Sequence, residues 1–156
     1  MNDLFQEISG ECSKITTKKY STSFSLGIKM LNKNLHLPIY SIYGFVRLAD
    51  EIVDSLYNFN QKELLHNFEK DCYDAIKNGI SMNPILNSFQ YVVNHYKINL
   101  ELIDQFLYSM KMDLNGKKNY NKAEYDKYIL GSAEVVGLMC LKIFVLGDNE
   151  LYLKLK

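Results

Sequence analysis

The sequence predicts an all-α protein, and three observations carry that expectation. Apolar residues recur at three- and four-residue intervals along most of the chain, and no segment shows the two-residue period of a half-buried strand. Glycine and proline number only 8 and 2 among 156 residues, which suits long helices and argues against an all-β fold. Asparagine stands ahead of one apolar-periodic segment after another, the position of a helix N-cap.

The first helix is expected over Asp3 to Lys18, with Leu4, Phe5, Ile8, Cys12 and Ile15 on one face and a weak point at Ser9-Gly10. Tyr20-Ser21-Thr22-Ser23-Phe24-Ser25 follows, with four serine and threonine hydroxyls in a short stretch. Hydroxyls at that density compete with the helical backbone and mark a helix start, or present donors to an anion there. Phe24, Leu26, Ile28, Met30 and Leu31 lead to a polar link at Asn32-Lys33-Asn34. Pro38 then sits near the expected start of a helix running to about Tyr57, where a missing N–H has no intrahelical partner to lose. Asn60 with Glu63 reads as a capping box ahead of a helix through Leu65, Phe68, Cys72 and Ile76, closed by Gly79. Asn83-Pro84 opens the next helix and Asn99 another, which ends at the turn Asn115-Gly116. Asn121 with Glu124 repeats the capping pattern before one long helix from about Tyr125 into the 140s.

Composition narrows the function classes. Lys plus Arg balances Asp plus Glu at 18 each, so no basic field for nucleic acid exists. Cys12, Cys72 and Cys140 lie far apart with no paired spacing, and His36, His66 and His95 are isolated, so thiols in a reducing compartment are expected. The most apolar run, Val135 to Leu146, is interrupted by Lys142 and falls short of the ~20 residues of a membrane span. With no signal-peptide pattern at the N-terminus, the expected location is cytoplasmic.

One stretch carries chemistry. Wound as a helix, Tyr40 to Asp54 places Tyr43, Arg47, Asp50 and Asp54 within an arc of roughly 60°, while apolar residues occupy most of the remaining circumference. The plain reading is a solvated ion-pair face, with Arg47 bridging Asp50. A solvated face would be broader, however, and this narrow stripe suits a helix buried on most sides with the stripe turned to a cavity. Two carboxylates one turn apart can share Mg²⁺ ions that keep most of their water and take phosphate oxygens as further ligands. Arg47 could fork onto the same phosphate.

Four ordered segments carry a resemblance. Ser21-Thr22-Ser23-Phe24, Ile42 to Asp54, Ser109-Met110-Lys111-Met112-Asp113-Leu114 and Tyr128 to Cys140 resemble the squalene/phytoene synthase family, in the flavour of its bacterial phytoene synthases. The resemblance implies an isoprenoid-synthase-type helical bundle, with residues 1–156 as the N-terminal portion of a single domain. It implies that Asp50 and Asp54 bind Mg²⁺ (Mn²⁺ as a second candidate) and through it a prenyl diphosphate. Tyr43 and Arg47, with Tyr20, Ser21, Thr22 and Ser23, match diphosphate- and substrate-contacting positions, and Phe24, Tyr128, Val136 and Gly137 match positions lining the prenyl cavity. The implied reaction is head-to-head condensation of two geranylgeranyl diphosphates to phytoene through a cyclopropyl diphosphate. The alternatives are a squalene or dehydrosqualene synthase using farnesyl diphosphate, or a non-catalytic assembly protein of the same lineage.

The departures shape further expectations. Glu134 stands where many relatives carry glycine, and Ile28 replaces a common aromatic. The second aspartate-rich motif is absent, since no two aspartates after Asp54 are four apart, and helical pattern still runs at Leu151 to Lys156. The chain is therefore expected to be about half of a family domain, inactive alone, with exposed apolar surface that invites self-association. Peripheral membrane contact, suited to a lipid product, is a further expectation.

Overall fold

Why the long central helix holds the molecule together follows from its sequence. Ile39, Tyr40, Ile42, Phe45, Ala49, Ile52 and Val53 are all buried along α3 (Lys33–Asp54), so neighbours must cover it on several sides. In the computed structural model, which describes residues 3–115 and 121–156, they do. Helices α1 (Asp3–Tyr20), α2 (Thr22–Lys29), α4 (Gln61–Asn78), α5 (Pro84–Tyr96), α6 (Leu100–Leu114) and α8 (Val135–Phe144) all pack against it. The shorter helices α7 (Lys122–Ile129) and α9 (Asn149–Leu155) complete an all-α bundle with no strand among the described residues.

The core is centred on a ring cluster. Phe45 is fully buried and stacks on Phe89 of α5 with centroids 3.9 Å apart, while Phe68 of α4 and Phe106 of α6 approach to 5.5 and 5.4 Å. Leu65, Leu86, Ile103 and Met139 close the space around these rings. Such aromatic contacts add to the burial term.

A second seam is polar. Ser9, Ser13 and Thr17 repeat every four residues down the inner face of α1, all fully buried. Asn87 donates its amide to Ser9 Oγ at 3.0 Å, and Ser13 Oγ lies 2.6 Å from Ser88 Oγ. Ser88 donates its own proton to the Ile85 carbonyl, so Ser13 is the donor of that pair. Gly44 lets α1 approach α3 here, because a Cβ at that position would stand 2.8 Å from Ser13 Oγ. Ser9-Gly10, expected as a weak point, thus lies within one continuous helix: both residues are fully packed, and tertiary contacts override their low propensity.

Capping follows the asparagines. Asn60, Asn83, Asn99 and Asn121 each accept a hydrogen bond from the first turn of their helix. At α7 the box is reciprocal, with the Asn121 N–H donating to Glu124 at 3.2 Å. Gly79 ends α4 at a φ of +71°, which its missing Cβ permits.

Two boundaries differ from expectation. The polar link at Asn32-Lys33-Asn34 is the cap and first turn of α3, with Asn32 Oδ1 accepting the Asn34 N–H at 3.1 Å. Pro38 therefore lies inside the helix, where the carbonyl four residues back belongs to exposed Asn34 and water can serve it. The long final helix is interrupted: a turn of π-helix, Leu130–Glu134, separates α7 from α8. Its cause is Gly131, packed so closely on α6 that a Cβ would come 2.6 Å from the Gln105 carbonyl. Glu134 is solvent-exposed on that turn. Asn115 caps α6, while Gly116 lies outside the described residues.

Candidate active site

Helical geometry puts Tyr43, Arg47, Asp50 and Asp54 on one line, and packing leaves that line partly open. The first three are half-buried and Asp54 is exposed. The Gln61 side-chain amide donates hydrogen bonds to the Ile52 and Val53 carbonyls at 2.8 and 2.9 Å, which satisfies the far end of this helix. Arg47 is gripped from several sides. Its Nη2 donates to Glu51 at 3.1 Å, its Nη1 lies 3.7 Å from Asp50, and its guanidinium stacks 4.3 Å from the centroid of the Tyr20 ring. The interaction of the Tyr20 phenol with the same Glu51 holds that carboxyl below its usual range and raises the phenol. Arg47 Nε is buried and has no hydrogen-bond partner among the described residues.

Facing this line is a wall that periodicity alone could not place. Asp113, at the end of α6, accepts a hydrogen bond of 3.1 Å from the phenol of Tyr128, at the end of α7. It lies close enough for charge repulsion with both Asp50 and Asp54. Burial first, and then the charges of Asp54 and Asp113, push the Asp50 carboxyl up to about 6, against the pull of Arg47. Burial likewise raises Asp113, opposed by the Tyr128 hydrogen bond.

At its inner end the line meets an apolar pocket of about 650 Å³, lined by Tyr43 and Ile39 of α3, by Phe24 and Ile28 of α2, and by Cys140 and Phe144 of α8. The Phe24 and Tyr43 rings stack 4.5 Å apart, forming its aromatic wall. Ser21 caps α2, its hydroxyl accepting the Phe24 N–H at 3.2 Å, and Ser21 and Ser23 also line the pocket while Thr22 is exposed. Ser21 therefore serves as a cap, and it borders the cavity as well.

Three residues from the resemblance lie elsewhere. Tyr128 belongs to the Asp113 wall, and Val136 packs onto the core cluster. Gly137 is exposed, with open space where a Cβ would stand. Conversely, Glu51, Asp113, Cys140 and Phe144 belong to the site without having been singled out. Phe144 and Cys140 are one helical turn apart, a spacing indistinguishable in sequence from ordinary core. Burial raises the Cys140 thiol to about 11 and that of Cys72 to about 12, so both are protonated apolar fillers at neutral pH.

The donor set suits a divalent cation held with its own water. Among the described residues no group of three or more His, Cys, Asp or Glu side chains is gathered closely enough to hold a metal. Asp50 and Asp54 offer two carboxylates, one of them carrying a charge that its surroundings disfavour and that a cation would relieve.

The family profile for squalene/phytoene synthase matches residues 17–154, almost the whole chain and all four quoted segments. The chain belongs to the squalene/phytoene synthase family. Among curated relatives, phytoene synthase 1 of Solanum lycopersicum is 24% identical across 94% of this chain and 35% of its own length. Phytoene synthase of Arthrospira platensis is 23% identical across 90% and 45%. The 4,4'-diapophytoene synthase of Staphylococcus haemolyticus is 25% identical across 85% and 47%. The fold matches a squalene synthase, HpnC, from Alicyclobacillus acidocaldarius with a TM-score of 0.82 at 21% identity, over 94% of this chain and 55% of that one. It also matches a dehydrosqualene synthase solved with a ligand, with a TM-score of 0.77 at 24% identity, over 90% and 48%. The chain thus spans about half the length of these family members or less. Among the described residues no helix is long and apolar enough to cross a membrane.

Proposed function

We propose that this chain binds a prenyl diphosphate as one wall of a phytoene synthase-like prenyltransferase, the diphosphate end lying along Arg47, Asp50 and Asp54 and the prenyl chain in the adjoining pocket. The observation that carries the reading is the continuity of the two halves: Tyr43 belongs both to the polar line of α3 and to the apolar pocket. A ligand charged at one end and greasy along its length fits that arrangement. Asp50 and Asp54 would hold Mg²⁺, which when bound neutralises charge developing on a leaving diphosphate. Arg47 gives up part of its hold on Glu51 to fork onto the same phosphate. Phe24 and Tyr43 turn ring faces to the prenyl chain, where a carbocation would be sheltered from water.

The reaction that best fits this wall is head-to-head joining of two geranylgeranyl diphosphates to phytoene, an early step towards carotenoids. Squalene or dehydrosqualene synthesis from farnesyl diphosphate is the second reading, supported by the family's membership. Turnover would also need the facing acidic pair, which this sequence does not contain. Binding of geranylgeranyl and farnesyl thiodiphosphates, with Mg²⁺ and with EDTA, tests the proposal. The expected result is Mg²⁺-dependent binding that weakens more than about tenfold in Asp50→Ala, with the tighter analogue naming the chain length. Binding indifferent to Mg²⁺ and to Asp50 would refute it. Recovery of phytoene at normal turnover from this chain alone would refute the need for a second acidic pair.

A further inference from the structure

We propose that Asp113 is a positioning residue: it holds the Tyr128 phenol on the wall that faces Asp50 and Asp54, so that the phenol forms the far edge of the diphosphate end of the site. The inference rests on the functional reading above and assigns a role to a residue outside the aspartate-rich line.

The geometry is specific. Ser109 and Asp113 are four residues apart on α6 and so share a face. Ser109 Oγ reaches the Tyr128 carbonyl at 3.5 Å, while Asp113 takes the Tyr128 phenol at 3.1 Å. Ser109 also donates to the Gln105 carbonyl of its own helix at 3.2 Å, so α6 ties the tyrosine firmly at the phenol and only lies against it at the backbone. Gly131, three residues on, seats the π turn directly against Ser109, which fixes the backbone from which the ring projects.

As a purely structural choice, Asp113 is a poor one. It is half-buried, it sits in the last turn of α6 where the helix dipole disfavours negative charge, and two further carboxylates face it. An asparagine would keep the hydrogen bond and avoid all three costs. What the carboxylate adds is a stronger, charge-assisted hold on the phenol. With its proton committed to Asp113, the phenol oxygen faces the cleft as an acceptor, suited to a water carried by a cation bound with the ligand and not to a diphosphate oxygen, which is itself an acceptor.

The test uses the full chain and two measurements. In protein carrying ¹³Cζ-tyrosine, the Tyr128 resonance is identified by its loss in Tyr128→Phe. Asp113→Ala is expected to move that resonance and leave those of the other tyrosines in place, and thermal melts confirm that each variant is folded. Mg²⁺-dependent binding of geranylgeranyl thiodiphosphate is then measured for both single variants and the double variant. Each single change is expected to weaken binding about tenfold and the double change to weaken it no further, because both remove one unit. Asp113→Asn, which retains an acceptor, should recover most of the affinity. A Tyr128 resonance unmoved in Asp113→Ala would overturn the proposal. So would additive losses, or an Asp113→Asn variant as weak as Asp113→Ala, which would assign the effect to charge alone. A wild-type chain that binds no analogue would sink the functional reading instead, and the resonance measurement alone would then decide whether Asp113 positions Tyr128.

Discussion

Replacing Asp50 by asparagine should make this protein more stable while depriving it of its proposed ligand. The Asp50 carboxyl is raised from its ordinary 3.8 to about 6, chiefly by burial. A displacement of about two pH units corresponds to roughly 3 kcal/mol. Because 29% of the side chain remains exposed, solvent screening reduces that to about 1–2 kcal/mol. The sign follows from proton counting. Between about pH 4 and 6 the folded chain holds a proton that the unfolded chain has released, so stability falls as pH rises through that window and stays lower above it. The amide of the variant has no proton to lose in that range. Wild type and Asp50→Asn should therefore melt together at pH 4, diverge through pH 5 and 6, and differ at pH 7.5 by about 3–6 °C in favour of the variant. Circular dichroism melts in EDTA provide the assay. Equal or lower stability of the variant at pH 7.5, or a gain that does not depend on pH, would refute the claim that a disfavoured charge is held there.

The two glycines of the last segment should behave oppositely. Gly131→Ala drives a Cβ to 1.9 Å from Ser109 Oγ and 2.6 Å from a backbone carbonyl, and should cost about 2–4 kcal/mol in denaturant unfolding. Gly137→Ala meets open space and should be neutral or gain up to about 1 kcal/mol; a large loss would mean that something packs there. Phe45→Ala removes the ring at the centre of the core, and a loss of about 3–5 kcal/mol in denaturant unfolding is expected; a loss under about 1 kcal/mol would mean that the ring cluster does not hold the core.

Most of the fold can be read from the sequence because its signals are local. An asparagine cap acts within one turn, and the polar line of α3 follows from helical period alone. What escapes such reading depends on other helices. The π turn needs Gly131 to meet Gln105 and Ser109 on a different helix; the small residues of the run Tyr128 to Cys140 allow another backbone to come close, but they name neither that backbone nor the bulge. Asp113 is a single aspartate at a helix end, and only the packing of α6 on α3 sets it opposite Asp54. The usual rule puts proline at a helix start, whereas the exposed first turn of α3 tolerates Pro38 further in. The resemblance groups Tyr128, Val136 and Gly137 as cavity positions; Tyr128 precedes the π turn, and Val136 and Gly137, as neighbours on α8, point about 100° apart.

The hydroxyl seam between α1 and α5 has a consequence for the site two turns away. Apolar ridges can slide past one another at modest cost, but Ser9 on Asn87 and Ser13 on Ser88 match only in one axial setting, and a slip would strand buried polar groups. Tyr20 sits seven residues beyond Ser13 on the same rigid helix, about 10 Å along its axis. The seam therefore acts as a ruler: it decides, from inside the bundle, where the Tyr20 ring lands on Arg47 and how the guanidinium is aimed.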